Sequence, residues 1–453
     1  MGQLGRAESP AFLSMVIMKY LFLICAIAFF PFRGYSQQEK DSLNQHRWKD
    51  SVPTKDVQRR EIFKLTGDLR YRGVFIKNED FGESQKQKEL FSLFRVLVGA
   101  WANPVKPLSF YLQLQSSLIN SKEYGISPVD KNELDIHQAY VDYKVGKFKF
   151  RLGRQELSYG SQRLVSVREI PNNRQAFDGG KITFKDKRLS ADLFHTSYVR
   201  SKEGILNDKV SPQIKFWGGY LSQKSSSGKS TIDIYYLGLD RQATLANAKG
   251  RETRHSFGSR FAGEASSSNF DMEGVYQFGT IGNSQISAWT LSSYISRKFK
   301  EVKLRPIVEL KTDLISGDKL RNRAIGTFNA LFPKGAYFGL AAIIGPSNLM
   351  DIHPSVIFEL KPEKISLNLE SLFLWRYSLN DGIYAANASM IYDASNSTKS
   401  YIGTQFAETL NYTPAKHILL RAELTFFKAG DFLKDAGPGK NVVFAALTSQ
   451  IKF

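Results

Sequence analysis

Cysteine is nearly absent from this chain, and its absence excludes several kinds of site. The 453-residue sequence contains one cysteine, Cys25, inside an N-terminal apolar run from Tyr20 to Phe30. Disulfide bridges, zinc–thiolate centres and cysteine nucleophiles all need thiols. If the N-terminal run is removed as a targeting segment, the rest of the chain can form none of them.

Long apolar runs are missing beyond the N-terminus, so nothing there predicts a membrane-spanning helix. The N-terminal run follows Lys19, and small residues stand three and one positions before Gln37, as at a signal-peptide cleavage site. The run is too short to serve well as a membrane anchor. We therefore predict a signal peptide over residues 1–36, with the true start at Met18, and a polar periplasmic lead-in over residues 37–61.

Motifs of the common enzyme classes are also missing. The six histidines are isolated in sequence, and neither His-Glu-x-x-His nor Gly-x-Ser-x-Gly occurs. Residues 228–230 (Gly-Lys-Ser) resemble the end of a phosphate-binding loop, but Gln223 stands where its first glycine is required. Carboxylates such as Glu359 and Glu370 could serve a glycosidase, yet acids occur on almost every predicted strand. We therefore predict no enzyme, no metal site and no cofactor.

The chain is strongly basic, with a net charge of +19. Basic chains often bind nucleic acid, but here lysine and arginine are spread along the whole length and alternate with apolar residues. There is no basic tail, zinc-finger spacing or compact RNA-binding motif. We predict no nucleic-acid partner, and an acidic polysaccharide or a cation-lined pore explains the charge better.

Side-chain alternation of period two runs through most of the chain and is typical of β-strands. Apolar and polar residues alternate over 65–75, 110–115, 302–311 and 418–426, among other stretches. Clusters of turn-forming residues separate these stretches, and no convincing long amphipathic helix interrupts them. A loose count gives sixteen to nineteen strands, so the chain is predicted to be all-β.

Alternation of this kind fits either a soluble β-protein or a transmembrane barrel. A barrel turns its apolar face to lipid and its polar face to the lumen, and it carries aromatic girdles; the 20 Tyr and 33 Phe suit such girdles. The pattern continues over 62–453 with no linker or fixed-period repeat. The last strand ends on Phe453, an ending that outer-membrane assembly machinery recognises. Together these features favour a barrel over residues 62–453.

One polar stretch, residues 147–181, departs from simple alternation. It opens as a strand whose apolar residues, Phe148, Phe150 and Leu152, alternate with Lys149, Arg151 and Gly153. Arginines and carboxylates then follow close together: Arg154, Glu156, Arg163, Arg168, Glu169, Arg174 and Asp178. Guanidinium groups suit carboxylates as planar charged forks. By itself the stretch fits a long charged surface loop slightly better than a site for an acidic ligand, and the family resemblance described next favours the site.

The residues from Leu134 to Ile182 resemble the hallmark region of the alginate-export family of outer-membrane proteins. Further similar stretches lie at 327–340, 345–354, 401–412 and the chain end, and the most specific parts are Gly-Arg-Gln at 153–155, Asn-Arg at 173–174 and Phe-Asp-Gly at 177–179. The resemblance implies a monomeric, transmembrane antiparallel β-barrel of about eighteen strands with loops constricting the lumen. It also implies the outer membrane of a Gram-negative bacterium.

The same resemblance suggests a function, because the family's named member conducts an anionic uronate polymer through an arginine-rich lumen. The positions that match its motif are Arg154, Glu156, Arg163, Arg174 and Asp178; Arg168 is added for its charge alone, and Arg70, Arg72 and Arg151 for their alternation with apolar residues. The leading hypothesis is a channel for an anionic oligo- or polysaccharide, with outer-membrane lipid and the barrel-assembly machinery as partners. The alternatives are a general anion-preferring porin without a dedicated substrate, and an outer-membrane enzyme or adhesin with a closed lumen.

The strand pattern also predicts orientation, since an Arg or Lys on the lipid face costs about 2–4 kcal/mol at mid-membrane. The residues expected in the lumen are Arg70, Arg72, Lys149, Arg151, Arg305 and Arg421, and those expected to face lipid are Leu69, Phe150, Leu304 and Leu420. Residues 154–178 are expected to fold into the barrel as an electropositive constriction. Tyr159 and Phe177 are expected to offer a sugar apolar faces there, whereas Lys229 and Lys249 are expected in exposed turns.

Overall fold

A computed structural model describes residues 62–453 apart from 86, 124, 127–128, 246–247, 320–323 and 396. The predicted signal peptide and lead-in, residues 1–61, lie outside the described residues. Within the described part, no helix is long and apolar enough to cross a membrane.

Eighteen antiparallel strands form a closed β-barrel, as the sequence resemblance implied. Each barrel strand is hydrogen-bonded to the next along the chain, and the first pairs with the last, from Asp68 with Lys452 to Lys77 with Val443. The elements are β1 Phe63–Lys77, β2 Lys88–Val105, β3 Leu108–Asn120, β4 Asn132–Val145, β5 Phe148–Gln155, β6 Phe177–Lys185, β7 Leu189–Arg200, β8 Lys209–Lys224, β9 Ser230–Leu245, β10 Ala248–Ala265, β11 Ser268–Ile281, β12 Ser284–Lys298, β13 Ile307–Ile315, β14 Ala324–Ile325, β15 Leu349–Lys361, β16 Ile365–Trp375, β17 Ile383–Tyr384, β18 Met390–Tyr392, β19 Tyr401–Ala415, β20 Ile418–Ala429, α1 Asp431–Ala436 and β21 Val442–Lys452. Outside the barrel wall, β14 pairs with β12, while β17 and β18 form a small hairpin.

The outer surface of the barrel is apolar because alternate side chains of every strand point outward. Leu152 and Leu447 expose 71% and 67% of their surface there. Aromatic rings also lie on this surface: Phe148 packs against Phe184 at 5.2 Å near the 146–147 turn, and Tyr236 shares a 2.7 Å hydrogen bond with His255 in the middle of β9 and β10. A continuous apolar outer surface with aromatic rings is that of a membrane barrel.

The two ends of the barrel differ in the length of their connections. One end has mostly tight turns, such as 146–147 and 186–188, and the other carries the longest connections, including 78–87, 156–176, 316–348, 376–400 and 430–441. In outer-membrane barrels the short turns face the periplasm and the long loops face outside. We use "short-turn end" and "long-connection end" for these two ends.

The barrel closes at a seam where the C-terminal ring covers the first strand. Phe453 and Gly67 exchange backbone hydrogen bonds of 2.8 and 3.0 Å. A Cβ atom on Gly67 would lie 2.2 Å from the Phe453 ring, so only glycine allows the ring to lie flat here. Phe453 thus packs against the first strand, in addition to ending the alternating pattern of the last strand.

The strand register turns Arg70, Arg72 and Arg151 into the lumen, while Phe150, Leu420 and their outward neighbours face away from it. The prediction was wrong for Leu304 and Arg305. Both are exposed in the 299–306 connection, with positive φ angles of 65° and 42°. Strand β13 begins only at Ile307, opposite Lys298, so the apolar alternation over 302–306 belongs to a turn.

Lys229 lies in the exposed 225–229 turn, as expected, but the placement of Lys249 in a turn was wrong. Lys249 belongs to strand β10 and pairs with Thr244. Its side chain is nevertheless exposed.

A directly paired glycine couple, Gly153 and Gly179, lies two positions before β5 ends at Gln155 and two after β6 begins at Phe177, close to where the chain enters the lumen. Gly153 has a φ of +129°, and a Cβ atom there would lie 2.2 Å from the carbonyl oxygen of Ala139. A side chain at this position would therefore meet backbone that cannot rotate away. The packing of β5 against β4 in the barrel wall therefore requires glycine at the first position of the Gly-Arg-Gln signature.

Substitution of this glycine should impair barrel assembly. We expect Gly153→Ala to lower the folded fraction, because strain and the backbone clash cost at least about 1–3 kcal/mol. Heat-modifiable migration on gels measures the folded barrel. Gly180→Ala is the matched control, since its Cβ would meet nothing closer than 3.9 Å. An equal loss of folded barrel in both variants would contradict a specific backbone clash at Gly153.

Candidate functional site

Two connections from the long-connection end fold into the barrel. The first inward segment, residues 156–176, leaves the wall after Gln155 and returns at Phe177; the second, residues 326–348, lies between β13 and β15. Leu157, Val165 and Ser166 of the first segment are almost fully buried, as are Phe328 and Phe338 of the second. The lumen is therefore crossed by ordered chain.

Hydrogen bonds to several wall strands hold the first segment. Near its end, the Asn172 amide lies within hydrogen-bond distance of the carbonyl oxygens of Leu118 and Asp130, at 3.0 and 2.9 Å. The Ser117 hydroxyl donates to the Asn172 carbonyl at 2.9 Å. Near its start, the Tyr159 hydroxyl donates to Asp192 at 3.0 Å. The segment is thus anchored on β3 and on β7.

The two inward segments meet in the interior. Val165 pairs with Phe332 in an isolated β-bridge, and Ser166 donates its backbone N–H to the Phe332 carbonyl at 3.0 Å. A Cβ atom on Gly335 would lie 2.5 Å from the Pro171 ring. This close approach means that the segments form one constriction.

Arginines of β1 and β2 define a basic side of this constriction. Arg70 donates to the backbone carbonyls of Glu169 and Pro171 at 2.6 and 2.9 Å. Arg95 forms ion pairs with Asp68 at 3.2 Å and with Glu169 at 2.5 Å. Because Arg70 is held by carbonyls rather than carboxylates, its contacts orient the guanidinium without neutralising it.

Glu156 and Arg174 form a buried network beside the basic side. The Arg174 guanidinium lies 2.9 Å from Glu156 and 3.4 Å from Glu169, and Glu156 also contacts His137 at 2.7 Å. The structure thus brings these two predicted site residues together. Both lie in contacts that fix the first inward segment in place.

Arg163 meets the opposite, acidic side. Its guanidinium lies 3.1 Å from Glu273, 3.7 Å from Asp271 and 3.8 Å from Asp313. Asp313 stands directly opposite Asp351 in the β13–β15 ladder, and both are buried. Arg163 therefore compensates a cluster of wall carboxylates, and β11, β13 and β15 provide the acidic side.

Arg168 differs from the other arginines of the first segment. Among the described residues it forms no ion pair, and its side chain is partly exposed. Its φ is +55°, an uncommon value for a non-glycine residue, and its backbone N–H donates to the Ser166 hydroxyl at 3.2 Å. A strained residue with a free guanidinium is a candidate for ligand binding.

Lys334 of the second segment is a comparable cation that the sequence analysis missed. Its ammonium lies 5.9 Å from the centre of the Tyr337 ring, its backbone N–H donates to Gln162, and it forms no ion pair within the described chain. The Lys-Gly pair at 334–335 has no periodic context to signal a pore position. Arg95 was missed for another reason: inward Leu97 makes both faces of β2 look apolar.

The register places Arg154 and Asp178 away from the lumen. They pair directly with each other and are the neighbours of Gln155 and Phe177, whose side chains are buried. Because side chains alternate along a strand, Arg154 lies on the same outward row as the exposed Leu152. Arg154 donates to both Asp178 oxygens at 2.8 and 3.2 Å. These two signature residues thus close the outer side of the wall where the first segment departs.

Arg151 remains inward but is occupied. It donates to both oxygens of Asp142 at 2.7 and 2.8 Å, and it stacks 3.6 Å above the Tyr140 ring. Arg72 is likewise paired, with Glu423 at 2.7 Å. Both residues line the wall as compensated charges.

Phe177 cannot offer a sugar an apolar face as expected, because it is completely buried against Phe332 and Phe216. Tyr159 is stacked between Phe194 and Tyr220 at 5.5 and 4.8 Å. Tyr159 therefore packs the first inward segment onto the wall, and Phe177 packs the wall against Phe332 of the second segment.

Outside the wall, the 201–208 connection covers the Arg154 region. Burial, with the nearby Asp135 carboxylate, raises the pKa of Asp208 to about 6. Within the described residues, no group of histidine and acidic side chains is arranged to hold a metal ion.

Comparison with known proteins identifies relatives at two levels. The profile of the family described as "Alginate export" matches residues 62–443. No curated protein sequence matches the chain. Solved structures with the same fold include the BenF-like porin of Pseudomonas fluorescens Pf-5, with 10% identity, TM-score 0.59 and coverage of 87% of this chain and 99% of that one.

Two further similar structures come from Pseudomonas aeruginosa. OccK11 (OpdR) has 12% identity and a TM-score of 0.56, over 86% of this chain and 96% of that one. OpdK, solved with vanillate, has 10% identity and a TM-score of 0.57, over 86% and 98%. At these identities the likeness shows a shared fold.

The anchoring of the first segment leads to a prediction about Asn172. We expect Asn172→Ala to leave the barrel heat-modifiable but to release the segment. The variant leaves the buried carbonyl oxygens of Leu118 and Asp130 without this hydrogen-bond donor, and an unsatisfied buried group weakens the docking of the segment by about 1–3 kcal/mol. Single-channel recordings should then show larger current fluctuations than the wild type. Asn387→Ala, in an exposed turn, should leave the fluctuations unchanged. A quiet Asn172→Ala channel would mean that other contacts hold the segment.

Proposed function

The chain belongs to the alginate-export family, and on that basis we propose that it conducts an anionic oligo- or polysaccharide, such as a uronate polymer, through its lumen. It is an outer-membrane β-barrel porin. Its family and fold are those of transport porins rather than of enzymes. The cargo, its passage along arginines and the action of the chain as a monomer are our proposals.

The observation that carries the proposal is a pair of cations on the inward segments that form no direct ion pair among the described residues. Arg168 and Lys334 have no ion pair within the described residues, whereas Arg163 and Arg174 are occupied by acids. A free guanidinium can bind a passing carboxylate in a bidentate fashion. Arg70, held by carbonyls, adds positive charge on the basic side.

Weak and repeated contact is what conduction requires, since a polymer must leave each site as readily as it enters. Arg70 and Arg168 belong to β1 and to the first segment, and Lys334 to the second. Each presents one cation rather than an enclosing pocket. The acids of β11, β13 and β15 would repel an anion, and Lys334 lies near two of them, Asp271 and Asp313. We therefore infer that the anion passes along the basic side, while Lys334 offsets part of the negative charge on the acidic side.

A general anion-preferring porin is the second candidate. OpdK, which shares the fold, was solved with vanillate, a small aromatic carboxylate. The same free cations would favour any such ion. A non-transport adhesin or enzyme is the third, and the contact between Gly335 and Pro171 favours it if that contact seals the lumen.

Charge reversal of the two free cations tests the proposal. We expect Arg168→Glu combined with Lys334→Glu to lower the anion-to-cation permeability ratio several-fold or to reverse it, because two positive charges become negative inside the constriction. The reversal potential in a planar bilayer under a salt gradient measures this ratio. Arg168→Lys should keep the anion preference.

The matched control replaces Lys229 and Lys300 by glutamate, at exposed positions of the short-turn end. This variant should change the ratio much less. If both double variants shift the reversal potential equally, selectivity is distributed over the whole charged surface. A wild-type barrel without conductance would instead support the adhesin or enzyme.

A further inference from the structure

The outer surface of the barrel carries a basic cavity that the channel function does not use. It has a volume of about 500 Å³ and lies between β1, β20, β21 and the connections 78–87 and 430–441. Lysines surround it, and an apolar wall closes one side. From this arrangement we propose a binding site for the phosphate groups of an acidic glycolipid of the outer leaflet, of the lipid A type.

The strand register shows that the cavity faces lipid rather than the lumen. Phe426 of β20 pairs with Val443 of β21, and Val443 pairs with Lys77 of β1, so the three share one face. Phe426 is 40% exposed on the outer surface, whereas its neighbour Phe427 is fully buried. The cavity therefore opens outward, at the tops of these strands.

Its height in the membrane follows from the connections. The cavity lies at the long-connection end, which faces outside in barrels of this kind. Headgroups of the outer leaflet occupy that level, just beyond the apolar band. A polymer passing through the lumen has no access to this face.

Three lysines supply the positive charge. Lys77, Lys434 and Lys440 all line the cavity, and none of them forms an ion pair within the described residues. Lys88 stands directly opposite Lys77 on β2 and adds a fourth cation at the rim. An anionic headgroup is the complementary partner, since several clustered lysines beside a membrane bind acidic lipids.

The fold fixes two of these lysines in place. Lys440 donates its backbone N–H to Phe81 at 2.8 Å, and its aliphatic stem lies so close to Gly82 that a Cβ there would be 2.6 Å away. Gly439, with a φ of +57°, approaches the Cα of Lys434 in the same way. Glycine at both places lets the lysine stems pack against backbone.

A buried amide forms the floor of the cavity, between the lysines and the apolar residues Phe426 and Val443. Asn78 is 6% exposed and lines the cavity, and its Nδ2 donates to the Asn441 carbonyl at 2.7 Å. Its Oδ1 has no hydrogen-bond partner. That oxygen is closed to solvent, so Asn78 shapes the floor of the cavity, while phosphates meet the lysines and acyl chains meet Phe426.

Binding at this place would also bridge the seam of the barrel. Lys77 belongs to the first strand, and Lys434 and Lys440 belong to the connection that leads into the last strand. A headgroup with two phosphates would tie both together. Ligands that bind only the folded state stabilise it.

The test compares the melting of purified protein with and without lipid A. We expect bisphosphorylated lipid A to raise the melting temperature and to bind Lys434→Gln/Lys440→Gln on the order of thirtyfold more weakly. Lys229→Gln/Lys300→Gln, with two exposed lysines at the short-turn end, should bind like the wild type. Heat-modifiable migration shows that each variant is folded.

Two further probes identify the ligand group. Dephosphorylated lipid A should bind weakly to wild type and to the Lys434/Lys440 variant alike. Inorganic phosphate and an anionic phospholipid should each stabilise wild type less than lipid A does. Equal binding of phosphorylated and dephosphorylated lipid A, equal loss in both double variants, or full stabilisation by phosphate or phospholipid would each overturn the proposal.

Discussion

The constraint on which this structure depends is that lipid accepts neither unpaired backbone groups nor charge. A closed barrel satisfies the backbone, because every strand has two neighbours. Alternation then sends every second side chain inward, so the charges of a strongly basic chain collect in the lumen. There they are partly desolvated and need partners, which explains why cross-strand pairs such as Arg151–Asp142 and Arg72–Glu423 line the wall.

The inward segments use this charged interior as their framework. Glu169 and Arg163 are carried by the same segment, yet they pair with opposite sides of the barrel, Arg95 on one side and Glu273 on the other. Removal of one partner of such a pair leaves a buried charge uncompensated, which is strongly destabilising. Most interior arginines therefore position the chain, and the few cations left free are available for a ligand. On this view selectivity depends on which charges lack a partner more than on how many arginines the lumen holds.

The fold could be predicted from sequence because each strand carries its own period-two signal and because the alginate-export resemblance supplied the strand number. The failures have local causes. Residues 302–306 alternate like a strand but lie in a connection, before β13 begins. Arg154 and Asp178 continue the outward row of Leu152, so the charge of the stretch misled the prediction where alternation alone would have placed them outside. Asp313 and Asp351 meet only because β13 and β15 pair across a long connection. Such long-range pairings decide which arginines form ion pairs and which remain able to bind a ligand. The sequence therefore predicted the charged stretch but not which of its residues could bind a ligand.

The most direct test of the central claim is block of the single-channel current by uronate oligomers. Wild-type protein in a planar bilayer should conduct, and oligouronates of increasing length should interrupt the current in events whose duration grows with length. Neutral maltooligosaccharides of the same lengths should produce few events. Equal block by charged and neutral oligomers would contradict an anion-recognising path, and block by small carboxylates with no dependence on oligomer length would indicate a general anion-preferring porin instead.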